Sequence, residues 1–124
     1  MTWKYFSISG DPGFRCQCGC GLGLADMDRH FMRRLDRSRE KSGVPFIITS
    51  GIRCPVHNNR VSVTGFHGPH TTGMAVDIAT QSSRARFLIR QALIEQGFHR
   101  FGSHSEFIHV DDSPEHDPNV EWWY

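Results

Sequence analysis

Two runs of helical periodicity, separated and followed by short β-branched stretches, constrain this chain more than any other feature. Apolar residues recur at Leu24, Met27, Phe31, Met32 and Leu35, and again at Ala85, Leu88, Ile89, Ala92 and Leu93, each set forming a one-sided stripe. Asp26 and Gly43 suit the start and stop of the first helix, Ser82 and Gly97 those of the second. Between them, Phe46 to Thr49 reads as a buried strand and Met74 to Ala79 as another, while Phe98–Gly102 and Glu106–Val110 pair as a hairpin around Ser103-His104. This order predicts an α+β fold, with helices packed on a small, mainly antiparallel sheet. The 124 residues fit one domain, 1–124, with a turn-rich, cysteine-containing opening segment over 1–23 and a polar tail over 112–124. Cys54 to Pro69 reads as a long polar connection, and such loops tend to carry function.

Fourteen basic and thirteen acidic side chains leave a net charge of +1, with no single-sign block of the kind that binds nucleic acid. No segment has about twenty apolar residues together, and the amino terminus lacks a signal-peptide core, so neither a membrane partner nor export is expected. The expected setting is synthesis in the cytosol, where thiols stay reduced, with lysis or a pore encoded elsewhere as the other way out of the cell. A monomer is expected. What stands out is eight histidines beside four cysteines, both transition-metal ligands.

The most specific segment is His70-Thr-Thr-Gly73-Met-Ala75-Val-Asp77. Gly73 allows a tight reversal and Ala75 a close backbone approach, so His70 and Asp77 can converge although no helical turn links them. Imidazole and carboxylate both bind zinc, and two ligands leave a site incomplete. His109, in Glu106-Phe-Ile-His109-Val-Asp111, is the best third donor, on a strand able to lie beside that of Asp77. Three protein ligands with an open fourth position form the catalytic arrangement of zinc.

These residues, with the F-x-C-x-C-G-C-G segment at 14–21, Thr49-Ser50-Gly51-Ile52-Arg53 and His57-Asn58, resemble the zinc D-alanyl-D-alanine carboxypeptidase family. That family includes vancomycin-resistance D,D-dipeptidases and phage L-alanyl-D-glutamate endolysins and shares its fold with the hedgehog signalling domain. The resemblance implies one catalytic zinc on His70, Asp77 and His109, with Glu106 as general base and Arg53 as the cation that steadies substrate or oxyanion. It implies peptidoglycan stem peptides, or related D-amino-acid peptides, as substrates. Many members place Ser two residues before the first ligand; Gly68 stands here, so its hydrogen bond to substrate or site wall is either missing or supplied by another residue such as His67. Glu106 and His109 are three apart and can share a site only if Glu106 stands in the turn or at a bulge. Asp111 shares a face with His109 and can orient it, and His104 is placed to line the cleft.

Cys16, Cys18, Cys20 and Cys54 could hold a second, structural zinc, but the tight C-x-C-x-C spacing favours buried free thiols. Trp3 and Trp122-Trp123-Tyr124 read as ties of the termini to the body. Two other functions compete with the peptidase: a non-catalytic zinc-binding module of the same fold, which would need neither Glu106 nor Arg53, and an HNH-type nuclease, which the charge balance disfavours.

Overall fold

A computed structural model describes residues 2–124. Its three helices are α1 (Arg29–Ser42), α2 (Pro55–Val61) and α3 (Ser83–Glu95). Five strands, β1 (Ile48–Ser50), β2 (Ala75–Ala79), β3 (Arg100–Ser103), β4 (Phe107–Asp111) and β5 (Val120–Trp123), form one sheet in the order β1-β2-β4-β3-β5. All neighbours are antiparallel except β3 and β5. The α+β expectation therefore stands. Among the described residues no helix is long and apolar enough to cross a membrane.

α1 starts later than its periodicity suggests. Asp26 belongs to a short 3-10 turn, Leu24–Asp26, where its carboxylate accepts from the Gly23 N–H. Asp28 is the cap instead, accepting from the Phe31 N–H at 2.8 Å, and Gly43 ends the helix with φ 71°. Ser82 caps α3 as expected, accepting from the Ala85 N–H. Phe31, Met32 and Leu35 of α1 and Ile89 and Leu93 of α3 meet Val76, Ile78, Ile108 and Val110 of the central strands in one core. Phe31 and Phe98 add an edge-to-face ring pair at 5.4 Å.

Two stretches read as irregular are ordered. The connection after Cys54 contains α2 and the 3-10 turns Gly65–His67 and Pro69–Thr72. Pro55 supplies a first helical residue that needs no N–H partner, and the Cys54 sulfur accepts from the His57 N–H at 3.3 Å. The tail holds β5, which pairs in parallel with β3 from Arg100↔Val120 to Ser103↔Trp123.

With Val76, Ile78, Ile108 and Val110 committed to the core, alternation turns Ala75, Asp77, His109 and Asp111 to the opposite face of β2 and β4. Register then builds one row across the sheet: Ser50 pairs with Asp77, Asp77 with His109, His109 with Gly102, and Gly102 with Trp122. That row is the floor of the site.

Candidate active site

Asp77 and His109 are direct cross-strand partners, and His109 Nδ1 lies 2.9 Å from Asp77 Oδ1. His70 reaches them from the 3-10 turn ahead of β2, its Nε2 3.4 Å from the same oxygen. Gly73 makes this approach possible, because the chain reverses there at φ 74°, in a region that disfavours side chains. The Gly73 carbonyl accepts from the Asp28 N–H, which fixes the turn to the start of α1. Among the described residues, one donor atom from each of His70, Asp77 and His109 falls within 4.8 Å of the others, and all three residues are buried.

The outer ring nitrogens decide what this group can bind. His70 Nδ1 is 2.7 Å from the Gly51 carbonyl, which can only accept, so Nδ1 carries the proton and Nε2 presents its lone pair inward. His109 Nε2 is 2.6 Å from Asp111 Oδ2, which likewise fixes a proton on Nε2. Asp111 is held in turn by Arg100 Nε at 2.6 Å and by the Ser113 N–H at 3.0 Å. Both imidazoles are thus locked by acceptors with their remaining nitrogens aimed at one point, the outer arrangement of a histidine–carboxylate metal site. The donor set fits zinc in its three-ligand form.

In the metal-free protein both nitrogens of His109 face carboxylates. Burial alone pushes its pKa down, but the bonds and charges of Asp111 and Asp77 outweigh burial and hold it above the ordinary imidazole value. Burial pushes Asp77 up, and His109 and His70 together reverse that and hold its carboxyl well below the usual range. Asp111 is lowered in the same way, by His109 and then Arg100. Protonation of His109 Nδ1 would compete with a cation for the same lone pair.

Arg53 joins this group. Its guanidinium donates to Ser50 Oγ at 3.0 Å and Asn58 Oδ1 at 3.1 Å and stands 3.9 Å from Asp77 Oδ2, while its backbone N–H donates to the His70 carbonyl. Asn58, fully buried, spends its amide N–H groups on Thr64 Oγ1 and the Gly65 carbonyl. A cleft of about 500 Å³ opens over these residues, walled by Thr64, Phe107, Trp122 and Tyr124 among others.

The other expected residues fall differently. Glu106 stands in the turn ahead of β4, exposed, and is not among the residues lining the cleft; it thereby meets the condition of lying off the regular strand. His104 accepts from the Glu106 N–H and stacks on Phe107 at 4.5 Å, behind a ring that does line the cleft. His67 is exposed and outside the cleft lining, so it does not replace the serine of other members. A Cβ at Gly68 would lie 2.0 Å from Thr64 Oγ1, so the hydroxyl in that space belongs to Thr64. Trp122 and Tyr124 form cleft wall as well as tying down the terminus; a Cβ at Gly102 would lie 2.5 Å from the Trp122 ring nitrogen. Sequence reasoning missed Arg100, Thr64 and these aromatics. The spacing of Trp122 and Tyr124, two apart, was the one available signal.

No curated protein and no solved structure matches the chain. A family model described as Peptidase M15 matches residues 9–111, which include Arg53, His70, Asp77, His109 and Asp111. With the His70–Asp77–His109 group in place, the chain belongs to the peptidase M15 family of zinc-dependent metallopeptidases.

Proposed function

We propose that the protein hydrolyses peptidoglycan stem peptides, cutting a D,D- or L,D-bond as a carboxypeptidase or endopeptidase. The observation that carries this reading is the convergence of His70, Asp77 and His109, with outer nitrogens already held by Gly51 and Asp111, beside Arg53 in an open cleft. These three residues would hold the ion through the atoms that face one another. When bound, zinc supplies Lewis-acid polarisation of a scissile carbonyl and acidifies water.

The chain's own groups do the rest. Glu106, at the turn that opens β4, is the residue that the family resemblance makes the general base: turned from its exposed position into the cleft, its carboxylate would take a proton from the attacking water and return it to the leaving amine. Arg53, steadied by Ser50 and Asn58, keeps N–H donors free to neutralise a developing oxyanion or to grip a terminal carboxylate. Phe107, Trp122 and Tyr124 give the cleft flat apolar walls against which a short peptide can lie. The same reading has the protein made in the cytosol and working on the cell wall after release, as a monomer without nucleic-acid or membrane partners.

The test is turnover of purified muropeptides by zinc-loaded protein, with products identified by mass. A released terminal D-alanine or a cut within the stem is expected, and Glu106→Gln should keep its zinc while losing roughly 10²–10⁴ in kcat. Unchanged turnover in that variant would remove Glu106 from the mechanism. A zinc-loaded protein that binds stem peptides without cutting them would be the non-catalytic module instead.

A further inference from the structure

The sequence spacing favours inert, buried thiols for the four cysteines, and the structure places them otherwise. Cys16 is buried, Cys54 half-buried, and Cys18 and Cys20 are exposed. One sulfur from each lies within 4.8 Å of the other three, with Cys16–Cys18 at 3.4 Å and Cys18–Cys54 at 3.6 Å. We infer that Cys16, Cys18, Cys20 and Cys54 form a second metal site, a closed four-thiolate zinc centre that ties the opening segment to the loop carrying Arg53.

The geometry fits such a centre. A zinc–sulfur bond of about 2.3 Å puts tetrahedral sulfurs roughly 3.8 Å apart, close to the separations seen, whereas a disulfide needs about 2.05 Å. The spacing that looked too tight is accommodated by the backbone. Gly19 at φ 79° and Gly21 at φ 101° curl the chain, the Gly19 N–H donates to the Cys16 carbonyl, and the Cys16 N–H donates to the Leu22 carbonyl and closes the loop. Three sulfurs that an extended strand would spread along one face are thereby gathered around a point. Two of the four already accept backbone N–H bonds, Cys16 from Cys54 at 3.4 Å and Cys54 from His57 at 3.3 Å. Such donors favour the thiolate forms a metal needs. Binding displaces four S–H protons to solvent and leaves a closed centre of charge −2 with no open position, which is a structural and not a catalytic form of zinc.

Its place in the fold gives it a task. Cys54 follows Arg53 directly and caps α2, the helix whose Asn58 holds the Arg53 guanidinium. Cross-linking Cys54 to a loop 38 residues earlier would fix the backbone from which Arg53 reaches into the cleft.

The experiment uses the full chain, purified under reducing conditions, as wild type, as His70→Ala, and as the pair Cys18→Ser with Cys20→Ser, whose altered residues are exposed and leave the core intact. Elemental analysis should give two zincs in wild type and one in each variant. With cobalt in place of zinc, His70→Ala should keep strong thiolate-to-cobalt charge-transfer absorption and the serine pair should lose it. The serine pair should also melt roughly 10 °C lower than wild type in excess zinc. A wild type with a single zinc that vanishes in His70→Ala would overturn the inference. So would four thiols that react equally fast with and without zinc, or a native mass lowered by the hydrogens lost to disulfides. If the serine pair does not fold, the cobalt spectrum of His70→Ala decides alone, since no cysteine is altered in it.

Discussion

Asp111 is fully buried and accepts at both oxygens, from His109 Nε2 on one and from Arg100 Nε and the Ser113 N–H on the other. Asp111→Asn cannot accept on both sides and sets an amide N–H against one of these donors. Zinc affinity at His70–Asp77–His109 should fall roughly 10–100-fold, read by competition with a chromophoric chelator. The same change leaves the Arg100 charge buried without its partner and should cost about 3–5 kcal/mol in denaturant unfolding. A second expectation concerns pH. In metal-free protein the raised His109 value contributes stability that is fully present below about pH 6.5 and lost as pH rises through the raised value. Asp77 and Asp111, lowered on folding, contribute stability present above about pH 3.9 and lost as pH falls through their lowered values. Metal-free melting temperature should therefore be highest between about pH 4 and 6.5, whereas zinc must displace the His109 proton, so the zinc-induced gain in melting temperature should grow above that window. A scan with and without chelator checks both signs. His70 and Asp77 were legible because the block that holds them is contiguous around a glycine turn, and His109 because its own segment carries a recognisable motif, although the register that pairs it with Asp77 was not. Arg100 was not, because its partner is set by cross-strand register.

At the scale of elements, the segment between β1 and β2 does more than connect. α2 holds Arg53 through Asn58, and the turns behind it are packed so closely that Gly68 has no room for a side chain. Gly68→Ala should destabilise the fold by roughly 1–3 kcal/mol through overpacking against Thr64 and Asn58, and should weaken turnover by displacing His70, two residues on. Thermal unfolding and kcat/KM of the same sample test both parts. This segment was hard to read from sequence because its helix is short and is capped by a cysteine sulfur, outside the usual set of N-cap residues. α3, with a serine cap and a clean stripe, carried its own signal. β5 carried little, since it is four residues long, mostly exposed, and gains its identity only from pairing with β3.

Over the whole molecule, the match to the family spans 9–111 and stops at the end of β4, yet Trp122 and Tyr124 of the cleft wall lie beyond it. The His70–Asp77–His109 group lies within the matched residues and these wall aromatics outside them. Trp122→Ala should leave zinc content unchanged and raise KM for stem peptides several-fold, as loss of one stacking face would; an unchanged KM would take Trp122 out of the substrate groove. The wall strand is also the last of the five in chain order. The other strand pairings, β1–β2, β2–β4 and β4–β3, do not involve β5, so a chain clipped after Asp112 should keep the His70–Asp77–His109 group but have an open β3 edge and an incomplete groove. Such a chain should turn over stem peptides poorly, and a synthetic peptide of residues 113–124 added in trans should pair along that edge and restore the turnover.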